Sequence, residues 1–157
     1  MTITVDRYLN FQLAQAALNG FIQADILTNI LPKDGEALEI VQIELELTAG
    51  IAGNIGADAY VNWSITRDTK TALASLNDDD CIYKDGFSAD FTTSGMAVVQ
   101  NRWVWTPPEG LVIVEPTIYA QLSSAGLVSM LLTMDGRIHY RTVKVSEVEI
   151  LRILNNQ

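Results

Sequence analysis

Histidine, cysteine, paired carboxylates and a hydroxyl beside a base are the usual starting points for catalysis, and this chain has few of them. His139 is the only histidine. A Ser-His-Asp triad would have to use it. Yet it lies between Ile138 and Tyr140 in an alternating stretch, on the face shared by Arg137 and Arg141. That placement reads as a surface or subunit-contact histidine. No Gly-x-Ser-x-Gly nucleophile elbow occurs. Cys81 is the only cysteine, so with one histidine it cannot build a typical zinc site. It follows Asp78-Asp79-Asp80, an anionic setting that raises a thiol pKa and leaves the thiol inert. The three aspartates are the one candidate for a hard cation such as Ca²⁺, which takes six to eight oxygens. They lack the central glycine and distal glutamate of an EF-hand, and the competing reading is a solvated loop. With 19 acidic residues in the chain, some carboxylate pair falls close by chance, so a glycosidase reading gains nothing from it. Trp63, Trp103 and Trp105 are either a sugar-stacking platform or core, and large aromatics more often fill core. These residues predict neither an enzyme nor a bound cofactor.

The bulk properties agree with that. The 157 residues are enough for one domain with a real core. The net charge of −9 argues against direct binding to nucleic acid or anionic lipid, and Arg7 is the only Lys or Arg before Lys33. A lone cysteine rules out an intramolecular disulfide framework. The N-terminus does not read as a signal peptide, and no apolar run approaches the roughly 18 residues needed to span a bilayer.

The clearest element is Ala37–Leu47, where Val41, Ile43, Leu45 and Leu47 alternate with Gln42, Glu44 and Glu46. A period of two gives one dry face and one acidic face. Similar strands are expected at Phe21–Ile30, Ala59–Thr66, Cys81–Phe91 (interrupted near Asp85-Gly86), Met96–Trp105, Leu111–Leu122, Leu127–Met134 and Arg137–Val145. Pro32-Lys33-Asp34-Gly35 is a turn, because Pro sets φ and Gly accepts positive φ. Thr48–Asp58 reads as a glycine-rich loop without the Lys-Ser/Thr of a phosphate cradle. Thr71–Leu76 carries a helical turn, Ser123–Gly126 a turn, and Asp135-Gly136 a two-residue hairpin. Pro116 implies an edge or bend. Asn62-Trp63-Ser64 matches a glycosylation sequon but lies inside a strand and reads as coincidence. Ser146 to Glu149 forms a capping box that opens a short helix through Leu154, expected to lie across the end or face of the sheets. Residues 1–20 read as an N-terminal arm, loosely helical over Tyr8–Leu18, and residues 21–157 as a single domain.

Short strands, Pro/Gly turns and one terminal helix define an all-β fold: an antiparallel eight-stranded β-sandwich with a short C-terminal helix, read as a jelly roll. The start (Phe21–Ile30, Leu31–Ala37, Leu38–Leu47) and the closing Arg137–Val145 strand resemble the single jelly-roll capsid proteins of tailless icosahedral viruses. The resemblance implies a structural protein of the virion, made in the host cytoplasm, that assembles with copies of itself and shares its shell with a second capsid protein in some arrangements. It implies no catalysis. Capsid proteins that package RNA directly often carry a basic arm, which is missing here. The resemblance therefore implies a shell around a lipid or protein layer, or genome charge handled by another protein. Contacts are expected at the N-terminal arm and at the tail Asn155-Asn156-Gln157, and the acidic face of Glu44 and Glu46 is expected to meet the basic face of Arg137, His139 and Arg141, either within the sheet or across a subunit boundary. The competing function is a carbohydrate-binding β-sandwich module using Trp103 and Trp105.

Overall fold

The computed structural model describes residues 7–47, 55–89, 101–107, 111–128 and 131–155. In chain order the elements are β1 (Arg7–Ala14), β2 (Gly20–Leu27), a 3₁₀ turn (Pro32–Asp34), β3 (Glu36–Leu47), β4 (Ile55–Thr66), β5 (Cys81–Ala89), β6 (Arg102–Trp105), β7 (Val112–Ile113), β8 (Thr117–Leu127), β9 (Thr133–Lys144) and α1 (Glu147–Asn155). One sheet has the order β1-β9-β3-β6, with β7 also on β3; the other has the order β2-β8-β4-β5. Every pairing is antiparallel. The protein is an all-β sandwich with one short C-terminal helix.

Alternation dictates which side chains fill the space between the sheets. Leu13, Ile43, Leu45, Met134 and Ile138 from the first sheet meet Trp63, Ile65, Ile118 and Leu122 from the second, all almost fully inaccessible. Burying each aliphatic side chain is worth about 1.5–3 kcal/mol. The alternation in β3 is not continuous. Ile40 lies opposite Tyr140 and Gln42 opposite His139, so Val41 is the extra residue of a bulge. Leu38 and Ile40 point inward before the bulge, and Ile43, Leu45 and Leu47 after it. Val41, expected to share the dry face, is half-buried instead.

Several local expectations give way to tertiary pairing. Tyr8–Leu18 is not helical: Arg7–Ala14 pairs along β9. Thr71–Leu76 runs as bends and turns. Asp85-Gly86 does not interrupt β5, which stays in register from Ala89 to Tyr83. Ser123–Gly126 lies within β8, where Ser123 and Ser124 pair with β2 on one side and β4 on the other. Asp135-Gly136 is interior to β9, so there is no hairpin there; of the expected Leu127–Met134 strand, Leu127 ends β8 and Thr133 and Met134 open β9, and residues 129–130 lie outside the described residues. The Leu111–Leu122 strand divides into β7 and β8 around Pro116, and β4 begins at Ile55, inside the expected glycine loop. The hairpin loop at 92–95, the start of the Met96 strand and most of the Thr48–Asp58 loop lie outside the described residues, as do Asn156 and Gln157.

The 3₁₀ turn and the start of α1 form as their local chemistry directs. Gly35 takes φ 70° and donates its amide to the Pro32 carbonyl, closing the 3₁₀ turn. The Ser146 hydroxyl accepts from the Glu149 amide at 3.2 Å, capping α1. However, α1 buries none of its residues, and Val148, Leu151 and Leu154 are exposed. It does not pack across the sandwich in the way its apolar stripe predicts.

Candidate subunit-contact surface

The outer face of the first sheet collects the charged residues expected from sequence at a subunit contact. Cross-strand pairs there contact each other most directly. Glu44 lies opposite Arg137, Glu46 opposite Asp135, Gln42 opposite His139 and Glu39 opposite Arg141. The acidic face of β3 and the basic face of β9 therefore meet within the sheet. Arg102 on β6 donates through Nη2 to Glu44 Oε2 at 3.0 Å. On the other side, Arg137 Nε donates to Asn10 Oδ1 at 3.2 Å, and its guanidinium lies 5.5 Å from the Tyr8 ring centroid. His139 stacks on Tyr8 with centroids 4.8 Å apart. Gln12 Nε2 donates to Asp135 Oδ1 at 2.8 Å. Glu44, Glu46, Arg102, Asp135, Arg137 and Asn10 rim a shallow depression of about 310 Å³.

Chemically this is a mosaic of opposite charges with one like-charged pair, Glu46 opposite Asp135, suited to meeting another charged surface. Arg102 was available from sequence, since it alternates with Trp103 and so faces outward. Tyr8, Asn10 and Gln12 were not, because their segment reads as an arm or a loose helix, and their role depends on its pairing with β9.

The outer face of the second sheet is different, because the β4–β5 connection roofs part of it. Gln121 is fully buried there: it accepts from Ser64 Oγ and donates to Thr66 Oγ1 at 2.7 Å and to Gln23 Oε1 at 3.1 Å. The Lys70 amide also donates to Gln23 Oε1, at 2.8 Å, and Lys84 Nζ donates to the Ala74 carbonyl, at 2.6 Å. These bonds bind residues 70–74 to the sheet.

The Asp78-Asp79-Asp80 run belongs to this connection. Lys70 Nζ lies 2.9 Å from Asp78 and 3.0 Å from Asp80, so an ammonium occupies the position a cation would take. The hydrogen bond from Lys70 holds the Asp78 carboxyl below its ordinary range, and the bonds to Asp78 and Asp80 raise Lys70. Among the described residues no group of three or more His, Cys, Asp or Glu is arranged to hold a metal. Cys81 is pushed up chiefly by burial, with Asp78 adding to it. The charge argument from sequence thus names the smaller cause.

The tryptophans are turned into the sandwich. Trp103 lies against Trp63 at 4.4 Å and stacks on Phe87 at 6.0 Å, and Trp105 stacks on Tyr83 at 4.8 Å. Burial beside Asp85 pushes the Tyr83 hydroxyl up to about 12. Offset and tilted ring contacts of this kind are core packing across the sheets.

No protein-family model matches the chain, and no curated protein matches it. Among the described residues no helix is long and apolar enough to cross a membrane. Fold and surface together define the class: an antiparallel β-sandwich whose most elaborate surface is a charged sheet face.

Proposed function

We propose that the protein is a jelly-roll capsid subunit that assembles with copies of itself into an icosahedral viral shell. One observation carries this reading, the strand order. Sheets ordered β1-β9-β3-β6 and β2-β8-β4-β5 are what results when one long antiparallel ribbon is wrapped into a sandwich. β1 then lies beside β9, and β2 beside β8. The Asp135-Gly136 hairpin, which would have opposed this wrap, is absent from β9. The paired face of Glu44, Glu46, Arg137, His139 and Arg141 is the proposed subunit contact.

The competing carbohydrate-binding reading needs Trp103 or Trp105 presented outward, and both indoles pack inward. The test is assembly. Purified protein is screened across pH, salt and divalent ions by light scattering and negative-stain electron microscopy. Closed particles of uniform size are the expected result. Protein that forms no closed particles under any of these conditions overturns the proposal.

A further inference from the structure

We infer that β2 is a dimerisation edge, at which two copies join their second sheets into one continuous sheet through antiparallel β2–β2 pairing. β2 ends its sheet and, among the described residues, pairs only with β8. Among the described residues no strand pairs with its other side, so that side presents a row of backbone donors and acceptors. Proteins commonly blunt such edges with lysine, proline, bulges or short length. The other edges have such features: β6 has four residues, β5 carries Lys84, Asp85 and Gly86, and β1 opens with Arg7. β2 is eight residues long with no lysine, proline or bulge; like β1 it carries a single charge, Asp25.

The sequence of the strand identifies the partner. Phe21-Ile22-Gln23-Ala24-Asp25-Ile26-Leu27 is a palindrome in polarity about Ala24. A two-fold axis normal to the sheet at Ala24 sets Phe21 opposite Leu27, Ile22 opposite Ile26, and Gln23 opposite Asp25. Outer residues meet outer residues and inner meet inner, as the pleat requires. Centring on Asp25 would oppose two carboxylates. Centring on Gln23 would place Asp25 against Phe21.

The polar atoms complement one another in this register. Gln23 Oε1 is already used by the Lys70 amide and Gln121 Nε2. Its Nε2 is the half of the amide left to donate, and the exposed Asp25 carboxylate accepts. The pairing forms this bond twice. It also covers Leu27, which is 62% exposed, with the partner's Phe21. The contact is isologous, a form that closes on itself.

The experiment measures self-association of the full chain by sedimentation equilibrium. Wild type is expected to dimerise. Gln23→Glu keeps the acceptor oxygen for Lys70 and Gln121 but turns a carboxylate toward Asp25, and should weaken the dimer at least ten-fold. Adding Asp25→Asn restores a donor–acceptor pair and should recover most of that loss. In a Cys81→Ser background, Ala24→Cys should join into a covalent dimer with a short bis-maleimide, whereas Ser88→Cys on β5 should not. If Gln23→Glu loses its native near-UV circular dichroism, the crosslink decides. A monomeric wild type, an unchanged dissociation constant in a folded Gln23→Glu, failure of Asp25→Asn to recover it, or no crosslink in the Ala24→Cys variant overturns the inference. Sedimentation reads the dimer and microscopy reads the shell, so this inference and the capsid proposal fail separately.

Discussion

Gly136 illustrates how a residue reads one way in sequence and another in the fold. Asp-Gly between apolar runs is a hairpin signal, but here Gly136 sits in mid-strand between Phe11 on β1 and Leu45 on β3. A Cβ at this position would run into the Phe11 ring. The glycine is needed to admit a neighbouring aromatic, which then covers the bare backbone. Because the cause is a residue 125 positions away by number (136 − 11), local turn chemistry does not reveal it. Gly136→Ala should cost about 2 kcal/mol, as overpacking in a filled core typically does, read from urea unfolding. Phe11→Ala/Gly136→Ala should be more stable than the sum of the two single losses, since removing the ring removes the collision. Lys70 gives a second prediction, in pH. Asp78 is lowered from its ordinary 3.8, so the stability it contributes is present above about that pH and lost as pH falls through its folded value. Lys70 is raised from 10.5, so its contribution is present below that pH and lost as pH rises through its folded value. In Lys70→Met, urea midpoints measured from pH 5 to pH 2 should fall less steeply than in wild type.

Elements were legible where alternation is regular and one face is dry. β3 beyond its bulge, the centre of β4 and the end of β9 follow from their apolar period alone, and the capping serine of α1 follows from its spacing. β8 was cut short for the opposite reason. Ser123, Ser124 and Gly126 have poor strand propensity, but β8 is a central strand paired on both sides, and that pairing outweighs propensity. Gly126, at φ 73°, also lies against the Ala59 backbone, where a Cβ would have no room. The roof over the second sheet was hidden as well. Gln121 looks like an ordinary outward residue of an alternating strand, yet the connection after β4 folds back and buries it. Gln121→Leu should cost about 1–3 kcal/mol, because Ser64, Thr66 and Gln23 lose a buried partner. Hydrogen exchange should speed up at Lys70, whose amide donates to Gln23, while the centre of β9 stays protected. Equal loss of protection in both places would mean that the roof is not a separate unit.

At the scale of the whole molecule, the two outer faces are unequal, and this bears on assembly. The second sheet is roofed in part by its own chain, whereas the first presents Glu44, Arg102, Arg137 and their neighbours directly. The residues of that face were legible, and so was the meeting of its acidic and basic sides; that they meet within one sheet was not, because Glu44 meets Arg137 only through the β3–β9 register. A subunit with a net charge of −9 repels its copies, and local opposite charges are the available means of offsetting that repulsion at a contact. Net charge and contact charge can be separated by position. Arg137→Glu and Lys33→Glu each lower the formal charge by two units, and both side chains are exposed. Arg137→Glu should destabilise the isolated subunit by only about 1 kcal/mol, since exposed pairs and a cation over a ring contribute little. If the first sheet's outer face is the contact, Arg137→Glu abolishes particles in electron microscopy, while Lys33→Glu still assembles under the same conditions. Loss of assembly in both variants would assign the effect to overall repulsion. Particles from both would place the contact away from this face.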